Sequence, residues 1–250
     1  MHFSRRPGSR GHGFVLCLFA IAGFGCAELG IDASVVDDIL ASTGTNGGSG
    51  LSQSQVVSGL KEALRVGTER TVATTSSEGG FLDNSLLRIA LPDQLQTTAK
   101  AARLVGFGSQ VDSLEVTMNR AAEQASGEAT EVFWEAVKEM SIQDAYGILN
   151  GGDDAATQYF RGATEDSLRA RFEPVVTSAM EQVGVYQAYD GLTSSYSALG
   201  LLGDPKASLN EHVTTGTLDG LFSVLADEEK KIRDDPAART TDLLKQVFGN

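Results

Sequence analysis

After residue 50, apolar side chains recur three or four positions apart over most of the chain, the period of helices that bury one face. Across 54–75, Val57, Leu60, Leu64 and Val72 share a face, and Gly59 and Gly67 interrupt it. Glycine weakens a helix unless close packing repays it, so this segment is predicted to press tightly against a neighbour. Beyond the turn at Glu78-Gly79-Gly80, Leu86, Leu87, Ile89 and Leu91 alternate poorly and stop at Pro92. They predict a buried irregular or extended stretch. Pro92 suits the first turn of a helix that ends before Gly106, and Gly127 closes the next, striped by Leu114, Met118, Ala122 and Ala125. The signature returns in 128–140 with Val132, Phe133, Ala136, Val137 and Met140.

Ser141-Ile142-Gln143-Asp144 resembles a capping box, opening a short helix through Tyr146, Ile148 and Leu149 that stops at Asn150-Gly151-Gly152. Asp153 or Asp154 caps a helix holding Ala156, Tyr159 and Phe160, and Thr164 caps another holding Leu168 and Phe172. Pro174 kinks that helix or opens a further one with Val175, Ala179, Met180 and Val183. A soft stretch over 200–205 precedes the capping box Ser208-Leu209-Asn210-Glu211. The long helix of 209–234 turns Val213, Leu221, Val224, Leu225 and Ile232 inward and sets Glu229 four residues before Arg233 on the solvent side. Pro236 ends it, and Leu243, Leu244, Val247 and Phe248 form a last stripe. The fold class is all-α: an irregular multi-helix bundle, a single domain over 51–250, with a disordered N-terminal linker and the 209–234 helix at its centre.

The first 50 residues read differently. Arg5, Arg6 and Arg10 precede an uninterrupted apolar run of eleven residues, 14–24, about half of the roughly 20 that a membrane-crossing helix needs. This is the layout of a secretory signal over 1–25 and predicts export to the periplasm. Ala22-Gly23-Phe24-Gly25-Cys26 resembles a lipobox, with Gly23 and Phe24 where branched aliphatic and small or β-branched residues are usual. Gly25-Cys26-Ala27 serves ordinary signal cleavage equally well, so lipidation of Cys26 and simple cleavage both stand. Ser4-Arg5-Arg6 resembles a twin-arginine signal, but Pro7-Gly8 follow where a bulky apolar residue belongs. Over 26–50 the pattern predicts a short helix at 32–41 and then a flexible tether, Thr43-Gly44-Thr45-Asn46-Gly47-Gly48-Ser49-Gly50.

Charge then narrows the partners. The chain has 20 basic and 33 acidic residues; loss of the first 25 residues removes three arginines and no acid, leaving 17 against 33, or −16. Such a surface repels phosphate backbones and anionic lipid head groups, so no nucleic acid is expected as a partner, and a membrane is approached only through a lipid on Cys26. Cys17 lies in the signal, which leaves Cys26 without an intrachain partner and excludes a disulfide framework.

The chemistry-bearing residues are few. His212 is the single histidine after the signal, so a zinc site built from His and Cys is not expected, and no Gly-x-Ser-x-Gly elbow accompanies it. Beside Glu211 at a helix start it reads as solvent-facing. Gly44 to Gly50 lacks the Lys-Ser/Thr ending of a phosphate loop, and Gly106-Phe107-Gly108 is too short for a dinucleotide fingerprint. No cofactor is expected. Asp153 and Asp154, before Tyr159 and Arg161, form the one candidate binding turn, although helix capping explains both acids with no further assumption. The alternating acids of a calcium loop are absent there. Asp37-Asp38 and Asp234-Asp235 read as solvated ends, and nothing in spacing selects Glu62, Glu69 or Glu78 as a glycosidase pair.

Four segments carry a resemblance: GLKEALRVGTERTV (59–72), LPDQLQ (91–96), DAYGILNGGDDAATQYFR (144–161) and LDGLFSVLADEEKKIRDDPAARTTDLLKQVFG (218–249). In this order they resemble the bacterial envelope family catalogued as domain of unknown function 4197, over 51–249. The resemblance implies a signal-bearing, helical, envelope-located protein and brings no catalytic residue. Three classes of function follow: a non-catalytic module binding an envelope protein or an apolar ligand, which the reading favours; a carboxylate-dependent envelope hydrolase; and a purely structural lipoprotein. An apolar-walled pocket points to the first, and two buried, facing carboxyls in a cleft to the second.

Overall fold

A computed structural model describes residues 52–182, 205–239 and 245. The signal, Cys26, the 32–41 helix, the tether, the soft stretch to residue 204 and the stripe of 243–248 lie outside the described residues, as does Val183. Among the described residues the protein is all-helical, with no strand. The helices are α1 (Gln53–Thr75), α2 (Asp93–Leu104), α3 (Gly108–Ser126), α4 (Ala129–Glu139), α5 (Ile142–Leu149), α6 (Ala155–Gln182) and α7 (Pro205–Asp234), followed by a 3-10 turn at Pro236–Ala238. α6 and α7 form the centre. α7 packs on α1, α3 and α6, while α4 and α5 bridge α1 and α6, and α2 lies on α3.

One apolar cluster runs through every helix. Phe133 of α4 meets Phe160 of α6 edge-on at 5.2 Å and Phe222 of α7 at 6.2 Å, the T-shaped geometry that aromatic quadrupoles favour. Around them Met118, Leu168, Phe172, Met180, Leu218 and Leu221 are fully buried. The stripe predicted for α3 is buried in full, and so are Leu60, Leu64 and Val72 of α1.

Several buried threonines share this core without breaking helices, because their hydroxyls donate to a carbonyl one turn back. Thr71 bonds Gly67, Thr75 bonds Thr71 and Thr217 bonds Val213 at 2.7–2.9 Å. Thr164 does the same to Phe160 at 2.7 Å. It therefore caps nothing: α6 continues through Thr164 and Pro174 as one helix of 28 residues, where the pattern predicted separate helices. α7 likewise begins at Pro205, whose missing N–H suits a first helical position, and Ser208 lies inside it rather than at a cap.

Two capping boxes are formed among the described residues. Ser141 receives the Asp144 N–H at 3.1 Å while the Asp144 carboxylate accepts from the Ser141 N–H at 3.0 Å, as predicted. The Ser141 hydroxyl and N–H hold the Asp144 carboxyl below its ordinary value. The second box, Ser52 with Gln55, opens α1.

The N-terminus of α6 is satisfied differently from the expectation. Neither the Asp153 nor the Asp154 side chain bonds its first N–H groups; Ala155 N donates to Gly152 O, and those of Ala156 and Thr157 are bound, 73 and 72 residues on in α7, by Glu229. Its carboxylate accepts from Ala156 N and Thr157 N at 2.9 Å each and from the Thr157 hydroxyl at 2.9 Å. Arg233 lies 2.8 Å from the same carboxylate and also donates to the Ile148 carbonyl at the end of α5 at 2.9 Å. Glu229 is thus buried and Arg233 part-buried beside it, not on the solvent side, and the pair ties the end of α5 and the start of α6 to α7.

Candidate functional site

The stretch between α1 and α2 is where the helical pattern lapses, and it forms one wall of an open groove of about 720 Å³. That volume falls in the range of roughly 300–1,000 Å³ typical of ligand sites. The opposite wall is a face of α7 bearing His212, Gly216, Asp219, Gly220 and Ser223. Gly220 lets the chain come close: a Cβ there would stand 2.5 Å from Phe81 Cε1, and one at Gly216 would stand 3.0 Å from Ile89 Cγ1.

Leu87 closes a turn on Asn84, and from there to residue 91 burial alternates as along an extended strand. Leu87, Ile89 and Leu91 are buried, whereas Arg88 and Ala90 face out. Leu86 breaks the expectation of a buried run. It is 89% exposed, because the alternation places 87, 89 and 91 inward and the Leu86 N–H is held outside by Asn84 Oδ1 at 3.0 Å.

The fully buried Asn119 of α3 fixes this stretch. Its Oδ1 accepts from Ile89 N at 2.8 Å and its Nδ2 donates to Ile89 O at 2.9 Å, so one side-chain amide imitates a residue of a neighbouring strand. Glu123, one turn further along α3, accepts from Phe81 N and Leu82 N at 3.1 Å each and takes Arg120 at 2.6 Å. Neither residue is conspicuous in the sequence. A polar residue on an otherwise apolar helix face is the only signal that could have revealed them.

His212 occupies the α7 wall, where its Nε2 lies 2.8 Å from Ala90 O. Ser223, Asp219 and His212 share the face but cannot form a relay: eleven residues at about 1.5 Å rise put Ser223 roughly 16 Å along the axis from His212. The acids Asp93 and Asp219 are exposed, Asp219 at 3.3 Å from Arg161, and Arg88 turns to Glu115 at 3.3 Å.

The turn singled out from sequence does not converge on one point. Asp153 and Asp154 are exposed, the Tyr159 hydroxyl donates to Ala136 O at 3.2 Å, and Arg161 stacks over Phe222 at 4.5 Å. Burial pushes the Tyr159 phenol up. Carboxylates elsewhere are likewise engaged. Glu62 and Glu69 both bind Arg65, at 2.8 and 2.5 Å, and the Arg65 hydrogen bond holds the Glu62 carboxyl low, opposite to what a general acid needs. Glu78 lies on the surface against Arg120 at 3.2 Å. Among the described residues no group of three His, Cys, Asp or Glu could hold a metal ion, and no helix is long and apolar enough to cross a membrane.

The family described as protein of unknown function (DUF4197) matches residues 50–249, the whole helical body. The chain belongs to this family. No curated protein and no solved structure matches it. In this DUF4197 protein the groove brings together two of the quoted segments, 91–96 and 218–249, with the loop that separates the first of them from α1.

Proposed function

We propose that this DUF4197 protein is an exported, non-catalytic binding module of the cell envelope, held at a membrane by a lipid on Cys26, and that its partner occupies the groove between 86–92 and α7. The single observation that carries the binding reading is the groove itself. An extended segment is held open by a buried amide and a buried carboxylate, with an exposed leucine at its mouth and no relay on its walls. The carboxylate-hydrolase reading loses ground for a physical reason. The buried acids Glu123 and Glu229 spend their oxygens on backbone N–H groups and arginines, and Glu228 faces Lys231 and Arg70, which leaves none of them free to protonate a leaving group, and none lines the groove.

Export and the anchor are supported by the Arg-flanked apolar run and the small residues before Cys26. Intact-mass analysis of the mature protein from envelope fractions tests them: an N-terminus at Cys26 carrying acyl chains is expected. Full-length protein in the cytoplasm with its first methionine would overturn export, and an unmodified N-terminus would overturn the anchor alone.

A further inference from the structure

Within the binding reading just given, we infer that the groove takes an extended polypeptide segment, apolar with basic side chains, which pairs through its backbone with residues 88–90 as an added parallel strand. In an extended chain the N–H and C=O of one residue point to one side and those of its neighbours to the other. On the Ile89 side both groups are consumed by Asn119. On the opposite side, nothing among the described residues bonds the Arg88 carbonyl or the Ala90 N–H, and the Ala90 carbonyl takes only His212, leaving it a second lone pair. An acceptor at one residue and a donor two residues on, facing the same way, are what a single residue of a parallel strand bonds at once.

Both open groups belong to residues that line the groove, so a partner strand has somewhere to lie. At roughly 3.3 Å per residue, 88–91 offers about 10 Å of edge, enough for three or four partner residues. Side-chain chemistry follows from the walls. Leu86, 89% exposed, offers an apolar contact; Asp93 is exposed and bonded only by Gln96, while the ion pairs of Asp219 with Arg161 and of Arg88 with Glu115 leave the acid of Asp93 as the unbalanced charge on the described walls. The net −16 left after the first 25 residues favours the same cationic partner over distance.

The test uses the purified mature protein and a library of linear twelve-residue peptides displayed on phage. Peptides selected on the wild type are expected to be enriched in Lys or Arg next to apolar residues. Ala90→Pro removes the open N–H from an exposed position at an edge, where proline is tolerated, and should weaken their binding at least tenfold with an unchanged far-ultraviolet spectrum. Because that variant could fold poorly, the selected peptides are also made with single backbone N-methyl groups. One methyl, at the residue that bonds Arg88 O, should cost at least tenfold, and its neighbours should cost little. Ser223→Trp fills the groove for any ligand. Peptides that bind wild type and Ala90→Pro equally, or tolerate every N-methyl group, yet fail on Ser223→Trp would overturn strand pairing while leaving the groove as a binding site. A library that yields no binder sensitive to Ser223→Trp would overturn the peptide as its occupant.

Discussion

Glu229 shows how a residue can be read correctly in chemistry and wrongly in place. A glutamate four residues before an arginine on an amphipathic helix looks like a surface pair worth a few tenths of a kcal/mol. The structure buries it and sets its carboxylate against the positive end of α6, a role that the acids next to that end, Asp153 and Asp154, were expected to fill. Linear proximity favoured the aspartates, and only the tertiary approach of α7 could favour Glu229. Glu229→Gln keeps the volume but points an amide donor at N–H groups and at Arg233. It is expected to destabilise the protein by about 2–4 kcal/mol in urea unfolding, whereas Asp154→Ala should cost under about 0.5 kcal/mol. A larger loss from Asp154 than from Glu229 would return the cap to its sequence neighbour. The same limit hid Asn119 and Glu123, whose partners lie 30 and about 42 positions away in a loop. Of the candidate site, only the lapse of helical period at 86–91 was legible, because a missing pattern says where chain is irregular but not what holds it.

At the scale of elements, the helices that declared themselves were those with apolar stripes bounded by glycine: α3, α4 and α5 fall within a residue or two of where the spacing puts them. Errors came at Thr164 and Ser208, where a capping residue type sits inside a helix, while Pro174 stands within α6, as the first of its two readings had it. A buried threonine hydroxyl bonds its own helix as readily as it caps another, and the pattern Ser-x-x-Glu does not exclude the helical interior. The sequence tied the glycines of α1 to close packing, and at Gly67 an added Cβ would meet only an ordinary contact, 3.7 Å from Ile232 Cδ1. The closest approach, however, is of the 81–91 loop to α7, not of helix to helix. Two glycines in helices should therefore respond in opposite senses to alanine. Gly220→Ala drives a methyl into Phe81, a fully buried ring, and should cost about 1–3 kcal/mol. Gly162 of α6 is exposed, with nothing within 4 Å of an added Cβ, so Gly162→Ala should stabilise by about 0.5–1 kcal/mol. Thermal unfolding of the two variants reads both signs, and a stabilised Gly220→Ala would mean that Phe81 does not rest on α7.

For the molecule as a whole, the sum of amphipathic stripes predicts a bundle but not which helices touch, since any apolar face can cover any other. The arrangement that results is centralised. A single buried cluster includes Leu60 of α1, Leu95 of α2, Leu114 of α3, Phe133 of α4, Ile148 of α5, Phe160 of α6 and Leu221 of α7, and takes in Phe81 and Ile89 from the loop wall of the groove. Removing any helix except α2, which lies mainly on α3, uncovers side chains belonging to at least two others, so the central helices have no separate cores to survive on. The groove wall is included in that statement, because Phe81 and Ile89 lie against α7 while Glu123 and Asn119 hold their backbone to α3. Trp134, the sole tryptophan, lies on α4 and is 39% exposed, so its fluorescence reports one peripheral helix while far-ultraviolet circular dichroism reports all of them. The two signals are expected to follow one transition with one midpoint in urea. A fluorescence midpoint displaced from the dichroism midpoint would show that α4 unfolds apart from the centre, and the aromatic contacts of Phe133 with Phe160 and Phe222 would then not couple it to α6 and α7.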